Sequence, residues 1–379
     1  MNSIYTPSEN GRAWIEIDLS ALTHNAAELR ARLPRGCELM AVVKTDAYGH
    51  GAAMIAKRLR DEGVSAFAVA TVSEGVILRK NGIDGEILVL GYTHPKDAKI
   101  LSDFRLTQLA VDGAYAKALN ETGCKISVHI AVDTGMRRLG IAASDISEME
   151  SVYKCENLTV EGVATHLSSS DSLDKADTEF TNIQIEKYYA AVNALKAKGY
   201  NVGKLHIQAS YGVNNYPDLK CDYARVGIAL YGVKSHKKET KTDIALRPVL
   251  ALRAIIAQVR MIGAGETVSY ERTFKAAAPI KLATVCAGYA DGIPRQMSGN
   301  GGYCIVRGQK VPVIGRICMD MLMLDVTEAE SVGPGDVATL IGSDGGVEIR
   351  CEDVAEASGT ITNDILCRLG SRLPRIYTN

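Results

Sequence analysis

The feature that most constrains this chain is an alternation along its first two thirds, in which short apolar runs are separated by stretches with helical spacing. Strand-like runs fall at 38–43, 66–71, 86–90, 107–111, 126–132, 160–166, 204–208 and 224–227, and helical patterns sit between most of them, at 18–32, 52–61, 72–81 and 176–198. Consecutive βαβ units around a parallel sheet have this pattern. Eight strands suffice to close a (β/α)8 TIM barrel, whose chemistry gathers at the C-terminal ends of its strands. After about residue 241 the texture changes to short Val/Ile/Leu-rich runs punctuated by Gly and Pro, such as YCIVRGQKVPVIG and MLMLDVT. The chain therefore divides into a barrel over 14–243 and a β-rich domain over 244–379, with an early strand at about 11–17 available to pair with the second sheet.

Composition narrows the function classes. The 43 Lys and Arg against 44 Asp and Glu leave a net charge of −1, with no basic surplus to neutralise a phosphate backbone, so nucleic acid is not an expected partner. The 46% hydrophobic and 23% charged fractions are those of a globular protein. Nine cysteines without a CxxC pair indicate neither a disulfide framework nor a zinc site, and suit a reducing, cytoplasmic setting. No apolar run approaches the roughly 18 residues of a membrane span, so this chain is expected to make no membrane contact of its own. The opening MNSIYTPSENGR is polar and lacks the apolar centre of a secretory signal; it reads either as a native start or as a linker from a longer protein.

The strongest local signal is AVVKTDAYGHG at 41–51. A lysine closing a buried apolar strand is costly without a task, and a desolvated lysine with a lowered pKa is what Schiff-base chemistry needs. The competing reading is that Lys44 only snorkels at a strand end. Tyr48 and His50 among glycines favour the first, because a tight turn carrying a hydroxyl can hold a phosphate beside the amine.

This segment resembles the pyridoxal-phosphate lysine motif of the alanine racemases, and the resemblance runs along nearly the whole chain: DTGMRRLG at 133–140, GVATH at 162–166, RVGIALYG at 225–232, TVSYERTF at 267–274, GYADGIPR at 288–295 and GRICMDM at 315–321. It implies an enzyme, an amino-acid racemase, with pyridoxal 5'-phosphate as cofactor and an amino acid as substrate. Lys44 would hold the cofactor through its amine and then serve as one of two acid/base groups, since a proton leaving one face of a Cα must return to the other. The second base would be Tyr270, which the residues alone assign to ordinary packing. Arg225 would face the pyridine nitrogen and, having only donors to offer, keep it unprotonated. The phosphate would lie on the Gly227 and Ile228 backbone with the Tyr48 and Ser210 hydroxyls. His166 would lie against the ring, although a lone histidine is more often structural. Arg138 would bond the cofactor's phenolic oxygen and the substrate carboxylate, its neighbour Arg137 being solvated. The Met319 backbone would give a second donor to the carboxylate, and Tyr289 would line the entrance. In the family Tyr270, Tyr289 and Met319 reach the partner subunit's site, which implies a homodimer with shared active sites.

Three positions depart from the family's pattern. Ala131 stands where a lysine that becomes carbamylated is common, so Arg138 must be held another way; Ala209 replaces a common asparagine; and Asn363 replaces a usual tyrosine. Asn363 offers a donor and an acceptor in a smaller volume, which suits a serine hydroxyl. The change resembles the racemase domains of the membrane-bound VanT-type serine racemases, which implies D-serine supply for altered peptidoglycan precursors in vancomycin resistance, with this chain as the cytoplasmic part of a larger membrane protein. The alternatives are an ordinary alanine racemase, in which Asn363 is neutral drift, and a cofactor-binding or sensor protein on a racemase scaffold. The last would be expected to lose Lys44 or Tyr270, and both are present.

Overall fold

A computed structural model describes residues 11–379; the rest of the polar opening lies outside the described residues. In chain order its first strands are β1 (Ala13–Asp18), β2 (Glu38–Val42), β3 (Ala66–Val69), β4 (Glu86–Val89), β5 (Thr107–Ala110), β6 (Ile126–Asp133), β7 (Ile141–Ala142), β8 (Leu158–Ala164), β9 (Lys204–His206), β10 (Tyr223–Val226) and β11 (Leu250–Ile262). Eight of them form one parallel sheet in the order β10-β2-β3-β4-β5-β6-β8-β9, and β7 is a two-residue addition beside β6. The sheet closes on itself where the Asp222 and Arg225 N–H groups donate to the Leu205 and Gln208 carbonyls at 2.7 and 3.0 Å. Apolar runs become these strands because both faces are covered, by helices outside and by neighbouring strands within.

The helices between them have identifiable starts. The Asp18 carboxylate accepts from Ala21 N to cap Leu19–Arg32, and Thr71 with Glu74 forms a reciprocal capping box ahead of Val72–Lys80. The remaining expected helices form as Ala52–Asp61 and Lys175–Ala197.

The second sheet has nine strands, with Ile280–Val285 and Leu322–Asp325 near its centre. Strand β1 belongs here: it pairs antiparallel with β11, Ala13 opposite Ala254 and Ile17 opposite Leu250, and parallel with Arg375–Thr378. Two short helices, Cys351–Ala357 and Thr362–Arg368, interrupt the β texture. At seven residues each they are shorter than the window over which helical periodicity can be read. The second packs against the turn that follows β2, where an added Cβ on Gly49 would stand 2.5 Å from the Leu366 carbonyl. One continuous apolar core runs from Ile15 and Ile17 through Met40 and Phe67 to Leu366, so barrel and second sheet are packed together.

Candidate active site

Lys44 follows β2 and opens a single turn, Lys44–Tyr48, that is left-handed: φ is 55, 52, 54 and 53° at Thr45, Asp46, Ala47 and Tyr48. Each such residue costs roughly 1–2 kcal/mol, so the surroundings must impose the conformation. They do so through Glu74, whose carboxylate accepts from Thr45 N at 2.6 Å, and Asp46, whose carboxylate accepts from Ala52 N at 2.7 Å. The turn leaves the amine at the C-terminal mouth of the barrel. Burial lowers the Lys44 pKa from the ordinary lysine value, the Arg138 and Arg225 charges lower it further, and Cys367 and Glu74 oppose them. A fraction of neutral amine is what nucleophilic use requires.

The same turn sends the Tyr48 ring under Tyr231, with centroids 5.1 Å apart, and its hydroxyl to Gly227. An added Cβ at Gly227 would lie 2.5 Å from that oxygen, so this approach needs glycine. The Ser210 hydroxyl accepts from the Gly227 and Ala229 N–H groups at 3.1 and 3.4 Å. Tyr48, Ser210, Gly227 and Ile228, which starts the short helical turn Ile228–Tyr231, thus meet in one cradle of donors.

His50, inside the turn, is structural. It is fully buried, its Nδ1 lies 3.0 and 2.9 Å from the Ala47 and Tyr48 carbonyls, and its Nε2 has no partner among the described residues. Burial pushes its pKa down to about 4. The unfolded chain therefore binds the extra proton first, and His50 withdraws stability as pH falls from about 6.5 towards that value. Between pH 6.5 and 5.5 the loss should be about 1 kcal/mol. Urea unfolding at the two pH values should show that increment in the parent and its absence in His50→Gln; equal pH dependence would mean that His50 is not buried neutral.

Arg225 on β10 is only 6% exposed, and no carboxylate pairs with it among the described residues. Its guanidinium donates from Nη1 to the His206 carbonyl at 2.8 Å and from Nη2 to the Thr165 carbonyl at 2.6 Å, with His206 Nδ1 at 2.9 Å and His166 Nδ1 at 3.4 Å. Burial lowers its pKa to about 10, so it stays cationic. Burial and then the Arg225, Arg138 and Lys44 charges push His166 down to about 3, a neutral ring whose Nδ1 accepts. Arg225 is thus not a surface ion pair but a buried donor at the barrel mouth.

Arg138 projects from the loop after β6. The Asp133 carboxylate shapes that loop, accepting from Gly135 N at 2.9 Å and Arg137 N at 3.1 Å and pairing with the exposed Arg137 guanidinium at 3.5 Å. Ala131 packs with Leu109 and Ala164, and no side chain holds the exposed Arg138 guanidinium among the described residues. The brace that the family resemblance leads one to look for has no replacement here. Ala209 precedes Ser210 as extended backbone and offers the mouth no polar group.

Asn363 lies on Thr362–Arg368, one turn before Cys367 and so on the same face of that helix. Cys367 and Lys44 are near enough to influence each other's ionisation. The Asn363 Oδ1 is buried and has no hydrogen-bond partner among the described residues.

Tyr270, Tyr289 and Met319 form a separate group on the second sheet. Tyr289 and Ala290 N–H groups donate to the Cys318 and Met319 carbonyls at 3.0 Å each, and the Ser269 hydroxyl donates to the Arg316 carbonyl at 2.6 Å, joining three loops. Ser269, Glu271 and Arg272 around Tyr270 all have positive φ, a strained hairpin that presents the ring outward. The three side chains are 67%, 42% and 54% exposed, and Tyr270 and Tyr289 line a cleft of about 670 Å³ with Arg295 and Arg368. Lys44, Tyr48, Arg138, His166, Ser210 and Arg225 do not line it.

The residues at the barrel mouth fit pyridoxal phosphate: a partly buried amine, a cradle of hydroxyls and N–H groups too tight for a Cβ, and two guanidinium groups. Sequence reasoning did not single out His206, His129 or Glu86, although a histidine within the apolar run ISVHIAV was a signal.

Comparison with known proteins agrees. Residues 17–235 match the family described as "Alanine racemase, N-terminal domain", and residues 249–377 match "Alanine racemase, C-terminal domain". An amino-acid racemase of Enterococcus faecalis is 42% identical over 97% of this chain and 52% of its own length, and a serine/alanine racemase of Enterococcus gallinarum is 40% identical over 96% and 51%. The chain thus spans about half the length of these curated relatives. Among solved structures, an alanine racemase of Clostridium difficile 630 superposes with a TM-score of 0.90 at 32% identity, covering 97% of this chain and 96% of its own. One from Bartonella henselae, with covalently bound pyridoxal phosphate, superposes at 0.85 and 29% identity, covering 97% and 100%.

Proposed function

Since the chain belongs to the alanine racemase family, we propose that it is a pyridoxal-phosphate-dependent racemase that interconverts the enantiomers of serine as well as alanine. When bound, the cofactor supplies the electron sink that acidifies the substrate Cα–H. Lys44 holds the cofactor and moves a proton at its Nζ on one face of the Cα. The Tyr270 hydroxyl of a second copy moves a proton on the opposite face. The Arg138 guanidinium and the Met319 backbone N–H orient the substrate carboxylate, and Tyr289 lines the entrance. Arg225 keeps a donor on the pyridine nitrogen, which weakens the sink and disfavours side reactions. The exposure of Tyr270 and Met319, apart from Lys44, supports a homodimer with shared sites. D-serine made this way would feed altered peptidoglycan precursors, as in vancomycin resistance. Among the described residues no helix is long and apolar enough to cross a membrane.

The observation that carries serine is Asn363 Oδ1, a buried acceptor with no partner among the described residues, one helical turn from the Cys367 thiol that influences Lys44. A substrate hydroxyl would satisfy it. Asn363→Tyr removes that acceptor and fills the space, so serine should suffer more than alanine. Leaving a polar group unpaired costs about 1–3 kcal/mol, which lowers the serine-to-alanine ratio of kcat/KM by roughly one to two powers of ten. Chiral assays of both substrates measure it; an unchanged ratio in an active variant places the hydroxyl's partner elsewhere and leaves an ordinary alanine racemase.

A further inference from the structure

The buried guanidinium of Arg225 is the end of a longer arrangement. His206 Nδ1 lies 2.9 Å from Arg225 Nη1, His206 Nε2 lies 2.8 Å from His129 Nδ1, and His129 Nε2 lies 3.2 Å from Glu86 Oε1. The angle at the last contact is poor, but among the described residues neither of its two atoms has another partner, and both are buried. Burial raises the Glu86 pKa above the ordinary carboxylate value, and Tyr223 and Lys204 oppose that shift. Glu86 and Tyr223 open β4 and β10, whereas His206 closes β9, so the groups cross the barrel interior from its N-terminal end towards its mouth.

Polarity follows from chemistry alone. A guanidinium has donors only, so His206 Nδ1 must accept and its proton must sit on Nε2. That proton points at His129 Nδ1, which must also accept, so the His129 proton sits on Nε2, the nitrogen that lies 3.2 Å from the Glu86 carboxylate. Both rings are fully buried, and burial holds both pKa values far below the usual histidine range, so each ring carries one proton. The backbone is shaped around the chain: the β6–β8 register shifts at His129, and an added Cβ on Gly162 would stand 2.8 Å from the His129 ring.

We propose that Glu86, His129 and His206 form a one-directional chain, hydrogen-bonded from His129 to Arg225 and ending in a close polar contact with Glu86, that orients the Arg225 guanidinium, which makes Glu86 and His129 positioning residues of a site they do not touch. A carboxylate at the far end balances a cation at the mouth through two neutral imidazoles, and hydrogen bonds in such a chain polarise one another in a low dielectric. Its effect on catalysis rests on the racemase reading; its proton arrangement does not.

The test therefore has two arms. In the unaltered full chain labelled with 15N-histidine, with and without pyridoxal phosphate, long-range 1H–15N spectra should show two exchange-protected neutral rings protonated at Nε2. A His206 ring protonated at Nδ1, or a cationic ring, overturns the chain. In the loaded enzyme Glu86→Leu should lower kcat by roughly ten-fold, the scale on which a group supporting a functional side chain acts, with little change in KM. Glu86→Gln, which keeps an acceptor, should recover most of it. A parental kcat in Glu86→Leu, or no recovery in Glu86→Gln, overturns the positioning role. If the unaltered protein racemises neither serine nor alanine, the functional reading falls instead, and the spectra still decide the chain.

Discussion

A Tyr270→Phe variant should lose racemisation in both directions by roughly 10²–10⁴-fold, the range that a positioned acid/base group contributes, while still binding cofactor. Loss in both directions follows because the proton must pass Tyr270 either on arrival or on departure. The strained hairpin that turns Tyr270 outward, 67% exposed and away from Lys44, makes the outcome more specific. If Tyr270 serves the site of a second copy, mixing Tyr270→Phe with Lys44→Ala subunits should restore activity, because a mixed dimer has one site with neither defect. Random mixing gives about a quarter of sites intact by symmetry. Chiral assay of the separate and mixed variants decides it; activity at the parent rate in Tyr270→Phe, or no recovery on mixing, would remove Tyr270 or its sharing from the mechanism.

The largest effect should come from Lys44. On the proposed mechanism Lys44→Ala removes the covalent hold on the cofactor and one of the two acid/base groups, so its loss should exceed that of Tyr270→Phe and reach roughly 10⁴-fold or more. The parent should be yellow as purified. Borohydride reduction followed by peptide mapping should place the cofactor label on the peptide carrying Lys44, and a label on another lysine would sink the assignment. The lowered pKa of Lys44, caused chiefly by burial, is the property that separates this lysine from a snorkelling one.

The barrel strands were legible because a parallel strand covered on both faces must be apolar throughout, and the eight runs all appear in the sheet. Lys44 was legible as a lysine at the end of such a run. The left-handed turn after it was not: Gly49 and Gly51 hint at one, but Thr45 to Tyr48 are ordinary residues held there by Glu74 and Asp46, whose roles exist only once the chain is folded. The Glu86, His129 and His206 alignment was hidden for a related reason. It joins inward positions of β4, β6 and β9, strands separated by tens of residues. Asn363 was visible as a departure from a family pattern, yet its helix was not, and the unsatisfied oxygen that gives it meaning is a matter of packing.

The placement of β1 has a consequence for how the protein is made. Its partners are β11 and Arg375–Thr378, with Ile15 opposite Arg375. A ribosome adding roughly 5–20 residues per second leaves the earliest strand waiting tens of seconds for its last neighbour. β11 can pair with one edge of β1 earlier, but the other edge stays open throughout that interval beside Trp14, Ile15 and Ile17, which are all buried in the finished protein. The barrel strands can meet their neighbours as they emerge, but the second sheet is complete only once Arg375–Thr378 has emerged. Emergence of Arg375–Thr378 is therefore the event that completes the cover of β1, and deleting that strand should lower the yield of soluble protein far more than its four residues suggest.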